Sequence, residues 1–192
     1  MTRFYDNGLV ALLSNNSLVS VSSYDEPRPK LLASVPEGDV HSWAIIPPNF
    51  TLSRSVEVLL SIGQTIYVAD STECEDRFLD IGPFSHISVS PNGKFAALYT
   101  ETGKAHVITS DFQTRLSEYD SKSKTPPKYL AWCGNDGVVI AWEDEVHIVG
   151  PGGAVTQFFY DGRIHVVQGK NPRCQYVGLL IDMRQITMVC VS

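Results

Sequence analysis

Short runs of Val, Ile, Leu, Tyr and Phe recur along the chain, some continuous and some alternating with polar residues, and Gly, Pro, Asn or Asp separate them. Apolar positions at helical spacing are almost absent, so the pattern predicts strands joined by turns. Leu9–Leu13 and Leu18–Val21 flank Ser14-Asn15-Asn16-Ser17 and predict a hairpin, because Asn tolerates left-handed backbone and bonds its own turn. Glu57–Ile62 and Thr65–Ala69 flank Gly63-Gln64, and the leading Gly suits the positive φ of a type II′ turn.

The strand pattern also repeats. Ser85–Ser90, a turn at Pro91-Asn92-Gly93, Phe95–Tyr99, a turn at Glu101-Thr102-Gly103, Ala105–Thr109 and the more polar Arg115–Tyr119 form one unit. Lys128–Trp132, Val138–Trp142, Val146–Val149 and Thr156–Tyr160 form a second in the same order, and the segment from His41 to Ile81, with Arg77–Ile81 as its fourth strand, forms a third. Ile66, His106 and His147 occupy matching third-strand positions, a spacing of about 40 residues that is typical of four-stranded propeller blades. A single meander cannot bury both of its half-apolar faces, and stacking neighbours buries them. A β-sandwich shares most of the local signals, but the order of the repeat favours the propeller.

The expected fold class is therefore all-β, a partial β-propeller of WD40-like antiparallel blades, about three and a half to four of them. Expected boundaries are 8–35 for an incomplete first blade, then 40–82, 84–122 and 127–162, with 163–168 opening the next. A closed propeller takes about four to eight blades, so the chain reads as an arc of an incomplete ring.

Composition narrows the function. The 192 residues carry 15 Lys+Arg against 21 Asp+Glu, a net charge of −6, and no basic stripe. This argues against nucleic acid as a partner and against a polybasic hold on anionic lipid. Neither a signal peptide nor a membrane-spanning run is apparent, so no direct membrane insertion is expected. Cys74, Cys133, Cys174 and Cys190 are widely spaced, without C-x-x-C, and read as reduced thiols rather than a zinc site or disulfide framework.

Candidate chemistry finds little support. Glu143, Asp144 and Glu145 fall at a hairpin turn, where adjacent acids are solvated and do not converge on one atom as an acid/base pair must; Glu73, Glu75 and Asp76 read the same way. Gly150-Pro151-Gly152-Gly153 leads into a strand and lacks the phosphate-loop Lys, so it reads as a turn. His41, His86, His106, His147 and His165 sit at equivalent strand positions of different blades and read as structural residues rather than one metal site. Trp43, Trp132 and Trp142 lie in apolar strands and read as packing. No G-x-S-x-G elbow is present. The reading is of a non-enzyme with no catalytic, cofactor-binding or metal residue. A ligand-binding or hydrolytic propeller remains as an alternative, and it requires polar or acidic residues from several blades to converge. A generic WD-repeat scaffold is the other, although only Trp142-Glu143 comes near a Trp-Asp ending.

Four segments, Phe95–Gly103, Ser117-Glu118-Tyr119, Pro126–Cys133 and Val138–Glu143, resemble in order and spacing the N-terminal region of the vacuolar protein sorting-associated protein 16 family. The likeness runs from Gly8 to Gln168. It implies a β-propeller that continues, in the full protein, into a helical solenoid. It also implies a core subunit of the HOPS and CORVET complexes, which tether endosomal and vacuolar or lysosomal membranes and promote fusion. The implied partners are the other class C subunits, with an SM-type partner held by the solenoid, and the implied location is cytoplasmic and peripheral on late endosomes and vacuoles. No catalytic residue is transferred. Residues 169–192 show no continuation of the likeness and are read as an atypical tail from a truncated or mis-spliced gene model.

Overall fold

The computed structural model describes residues 1–169, 176–181 and 185–189. Nineteen strands are found among them, grouped into sheets that each use a continuous stretch of chain. The first sheet contains β1 (Thr2–Tyr5), β2 (Gly8–Leu12), β3 (Leu18–Val21) and β4 (Lys30–Leu31). The second contains β5 (Val40–Ile46), β6 (Glu57–Ile62), β7 (Thr65–Ala69) and β8 (Cys74–Asp76). The third contains β9 (Phe84–Val89), β10 (Phe95–Thr100), β11 (Lys104–Thr109) and β12 (Arg115–Asp120), and the fourth β13 (Tyr129–Cys133), β14 (Gly137–Ala141), β15 (Glu145–Val149) and β16 (Val155–Phe159). The last has three strands, β17 (Ile164–Gly169), β18 (Tyr176–Ile181) and β19 (Gln185–Val189). Strand order follows chain order in every sheet, as expected for four-stranded blades. Two compact units divide the chain, Met1–Ile87 and Ser88–Ser192.

Burial grades across each sheet. The second strands are nearly continuous apolar runs, and β14, Gly-Val-Val-Ile-Ala, is buried at every position, as a strand covered on both faces must be. The fourth strands are short or polar; β12, Arg-Leu-Ser-Glu-Tyr-Asp, alternates between exposed and half-buried residues. In the first unit, Tyr5, Val10 and Leu18 from the first sheet pack with Trp43, Val58 and Leu60 from the second. In the second unit, Ala97 and Tyr99 of β10 pack with Trp132, Val138 and Ile140 from the fourth sheet.

Ile66, His106 and His147 oppose Ser61, Leu98 and Ile140 on the neighbouring second strands, and all three are almost wholly buried. The expected turns hold their glycine and asparagine at positive φ, 59° at Gly63 and 60° at Asn16.

Two details differ from the strand pattern. The first sheet has a further strand upstream of residue 8, because Thr2–Tyr5 pairs with Gly8–Ala11 although only Tyr5 of it is buried. The fourth strand of the second sheet is Cys74–Asp76 and not Arg77–Ile81. Phe78 and Asp80 adopt φ of 50° and 49°, and the Asp76 carboxylate accepts from the Phe78 N–H at 2.7 Å, an Asx turn that ends the ladder. Of the tail, backbone at 169, 176–181 and 185–189 is strand, and the rest of 170–192, with Cys174 and Cys190, lies outside the described residues.

Candidate functional site

The acidic turn between β14 and β15 disperses its three carboxylates. Glu143 accepts from Lys128 Nζ at 3.1 Å and lies 3.5 Å from Arg163 Nε, and the Lys128 hydrogen bond draws its pKa down. Asp144 is exposed, and its carbonyl accepts from the Tyr160 N–H at 2.8 Å. Glu145 turns inward, with Oε1 2.6 Å from His147 Nε2. The second cluster is equally dispersed, since Glu75 pairs with Arg77 at 3.0 Å while Asp76 Oδ1 accepts from Thr65 Oγ1 at 2.7 Å. Among the described residues no three His, Cys, Asp or Glu side chains could hold a metal together. The Gly-rich segment is a tight turn between β15 and β16, with Gly152 and Gly153 at positive φ and the Gly150 N–H bonded to the Ala154 carbonyl.

The five histidines divide by environment. His147 is buried: Nδ1 lies 3.0 Å from the Tyr119 hydroxyl, and Trp142 stacks at a tilt with centroids 4.8 Å apart. His106 is buried too, but its Nδ1 has no hydrogen-bond partner and lies 3.7 Å from Glu118, beyond bonding range. Glu118 is held instead by Lys104 at 2.8 Å and Arg115 at 3.0 Å. Burial lowers the pKa of His106, Arg115 lowers it further, and Glu118 only partly opposes them. His165 is exposed, 3.2 Å from the Tyr129 hydroxyl. His41 and His86, by contrast, line one cleft.

The cleft has a volume of about 220 Å³, lies in the first unit and is lined by the opening strands of three successive sheets: Arg3 from β1, His41, Ser42 and Trp43 from β5, and Ser85 and His86 from β9. Arg3 donates to the Trp43 carbonyl at 3.2 Å and its guanidinium lies 5.6 Å from the centre of the indole. His86 Nδ1 lies 3.1 Å from Ser85 Oγ, and burial followed by the nearby Arg3 charge lowers its pKa. Polar groups from three sheets thus line one cleft, and no carboxylate is among them. Equivalent strand positions read as keeping these histidines apart; what the sequence pattern hid was that first strands of successive sheets share a cleft.

All three tryptophans are buried in the core, and two have satisfied N–H groups: Trp132 donates to the Ser88 carbonyl at 3.0 Å and Trp142 to the Thr125 carbonyl at 2.9 Å. No helix among the described residues is long and apolar enough to cross a membrane.

Four four-stranded meanders in chain order define a protein of the β-propeller class. A solved propeller aligns accordingly: the β-propeller domain of Myceliophteria thermophila Cps50 (Swd1) matches with a TM-score of 0.63 and 12% identity, covering 98% of this chain and 68% of that one. BBS1N, solved in complex with ARL6DN, matches with a TM-score of 0.61 and 11% identity over 94% of this chain and 72% of that one. The chain belongs to the family described as Vps16, N-terminal region, whose model matches residues 1–169. The probable vacuolar protein sorting-associated protein 16 homolog of Schizosaccharomyces pombe is 33% identical over 168 residues, 83% of this chain and 20% of that relative. Protein VACUOLELESS1 of Arabidopsis thaliana is 30% identical over 200 residues, 92% of this chain and 23% of that relative. The chain thus spans about a fifth of the length of these relatives.

Proposed function

We propose that this chain is a non-enzymatic protein-interaction segment of a vacuolar sorting subunit, acting within HOPS- or CORVET-type assemblies that tether endosomal and vacuolar membranes before fusion. The observation that carries the reading is the family match across residues 1–169. Support for a binding rather than a catalytic role comes from the dispersed carboxylates of the acidic turn. Partners are the other class C subunits, and an SM-type partner is engaged by the helical region implied to follow. Membrane proximity is conferred by the assembly, since the net charge of −6 disfavours an anionic bilayer.

Affinity purification of the full-length protein from its own cells tests this. Co-recovery of the class C sorting subunits is expected. Recovery of the bait with none of them sinks the tethering role.

A further inference from the structure

Ser121-Lys122-Ser123-Lys124-Thr125-Pro126-Pro127-Lys128 joins β12 to β13. It carries three lysines and no acid, an isolated basic segment on an acidic chain. Its backbone is pinned from below. Tyr99 and the Gly103 carbonyl both bond Ser121 Oγ at 2.7 Å, and Gly103, at φ 90°, lets the Ser123 carbonyl come so close that a Cβ would lie 2.6 Å from it. Ser123 Oγ bonds the Thr125 N–H at 3.3 Å and the Thr125 carbonyl at 3.0 Å, and Trp142 donates to that carbonyl from the other side. With its main chain fixed, the segment turns Lys122, Lys124, Thr125, Pro126 and Lys128 to solvent.

We propose that Thr125 is a phosphorylation site for a proline-directed serine/threonine kinase that also selects a basic residue three positions beyond the acceptor. Pro126 has no N–H to satisfy, so it suits an apolar subsite lacking an acceptor, and it biases Thr125 toward the extended backbone that a substrate groove binds. Lys128 supplies the cation at the third position; its exposed ammonium pairs with Glu143 of this chain at 3.1 Å, and a kinase carboxylate takes that place on binding. Only one other Ser or Thr in the chain precedes proline, Ser90 before Pro91, with Gly93 at the third position. The structure separates the two. Ser90 is 3% exposed, and its hydroxyl is committed to Asn92 Oδ1 at 2.7 Å and the Phe95 N–H at 2.9 Å. Thr125 is exposed, and its hydroxyl has only a 3.2 Å contact with Ser123 Oγ.

In the transfer, Thr125 Oγ1 attacks the γ-phosphorus of ATP, the bond to the β–γ bridging oxygen breaks, ADP leaves with that electron pair, and the hydroxyl proton passes to the kinase's aspartate. The product phosphate adds nearly two negative charges among Lys122, Lys124 and Lys128. It competes with Glu143 for Lys128, so the modification cancels most of the segment's charge of +3 and leaves about +1. The site is independent of which assembly the protein joins.

The test is to incubate the full chain with a cyclin-dependent kinase complex and ATP, measure intact mass and map the phosphate by fragmentation. Addition of one phosphoryl group at Thr125 is expected, with none at Ser90. T125A should abolish it, T125S should restore it, and K128A should slow it several-fold. The site is overturned if the wild-type chain stays unlabelled while a control substrate is phosphorylated, or if T125A is labelled as fast as wild type. Unchanged labelling of K128A overturns the requirement for the basic residue.

Discussion

Tyr119 on β12 and His147 on β15 join two different sheets of the second unit, hydroxyl to Nδ1 at 3.0 Å with the rings edge-on. Glu145 occupies the other imidazole nitrogen at 2.6 Å, and Gln157 donates to the Tyr119 hydroxyl at 3.3 Å, so both nitrogens of a buried ring are satisfied. Replacing His147 with Leu leaves Glu145 and Tyr119 without that partner. A loss of about 2 kcal/mol is expected, and about 1 kcal/mol for Tyr119→Phe, read from urea unfolding. An unchanged midpoint for His147→Leu would show that the network contributes nothing to stability.

Trp142 fixes the basic segment through one hydrogen bond, which Trp142→Phe removes while keeping most of the packing. A stability loss of about 1 kcal/mol is expected, together with faster amide exchange at residues 121–125. Exchange that speeds up equally throughout the second unit, and not in that segment, would contradict the assignment of the bond.

His106 predicts the acid side of the stability curve. Burial is the main reason its folded pKa lies below the ordinary histidine value, so as pH falls below about 6.5 the unfolded chain takes up a proton before the folded one does. Its contribution is complete above about pH 6.5 and is lost as pH falls through the depressed folded value. His86, lowered mainly by burial and then by Arg3, acts in the same direction. His106→Gln and His86→Gln should each flatten the fall in melting temperature between pH 7 and 5. An equally steep fall in the double variant would place the acid sensitivity elsewhere.

Phe4 on β1, Leu31 on β4 and Phe159 on β16 are 69%, 71% and 72% exposed. Apolar side chains on edge strands favour strand-to-strand association, so the chain produced alone is expected to self-associate. Light scattering after size exclusion should show species above 21.2 kDa whose share grows with concentration and shrinks in Phe4→Lys and Phe159→Lys. A monodisperse monomer at high concentration would contradict this.

What the sequence made legible was whatever depended on period and on apolar runs. Buried second strands such as Val138–Ala141 announce themselves, and the matching positions of Ile66, His106 and His147 set the sheet order. Polar edge strands did not: Thr2–Tyr5 has one buried residue, and Arg77–Ile81 alternates like a strand although an Asp76 side-chain bond ends the ladder before it. Glu145 looked like a solvated turn acid because adjacency in sequence does not reveal that its neighbour two places on, His147, points back at it. The cleft was not legible, because equivalent positions in different blades read as separate sites. Its cationic character comes from Arg3, on the strand that the pattern missed.

Every sheet here is closed within its own stretch of chain. A cut, duplication or deletion falling in a connecting segment therefore leaves each remaining ladder fully paired, whereas one falling inside a sheet strands half of a ladder. Natural length variants of this chain are accordingly expected to differ by whole multiples of about 40 residues, the unit in which such a protein can be lengthened or shortened without breaking a hydrogen-bonded sheet.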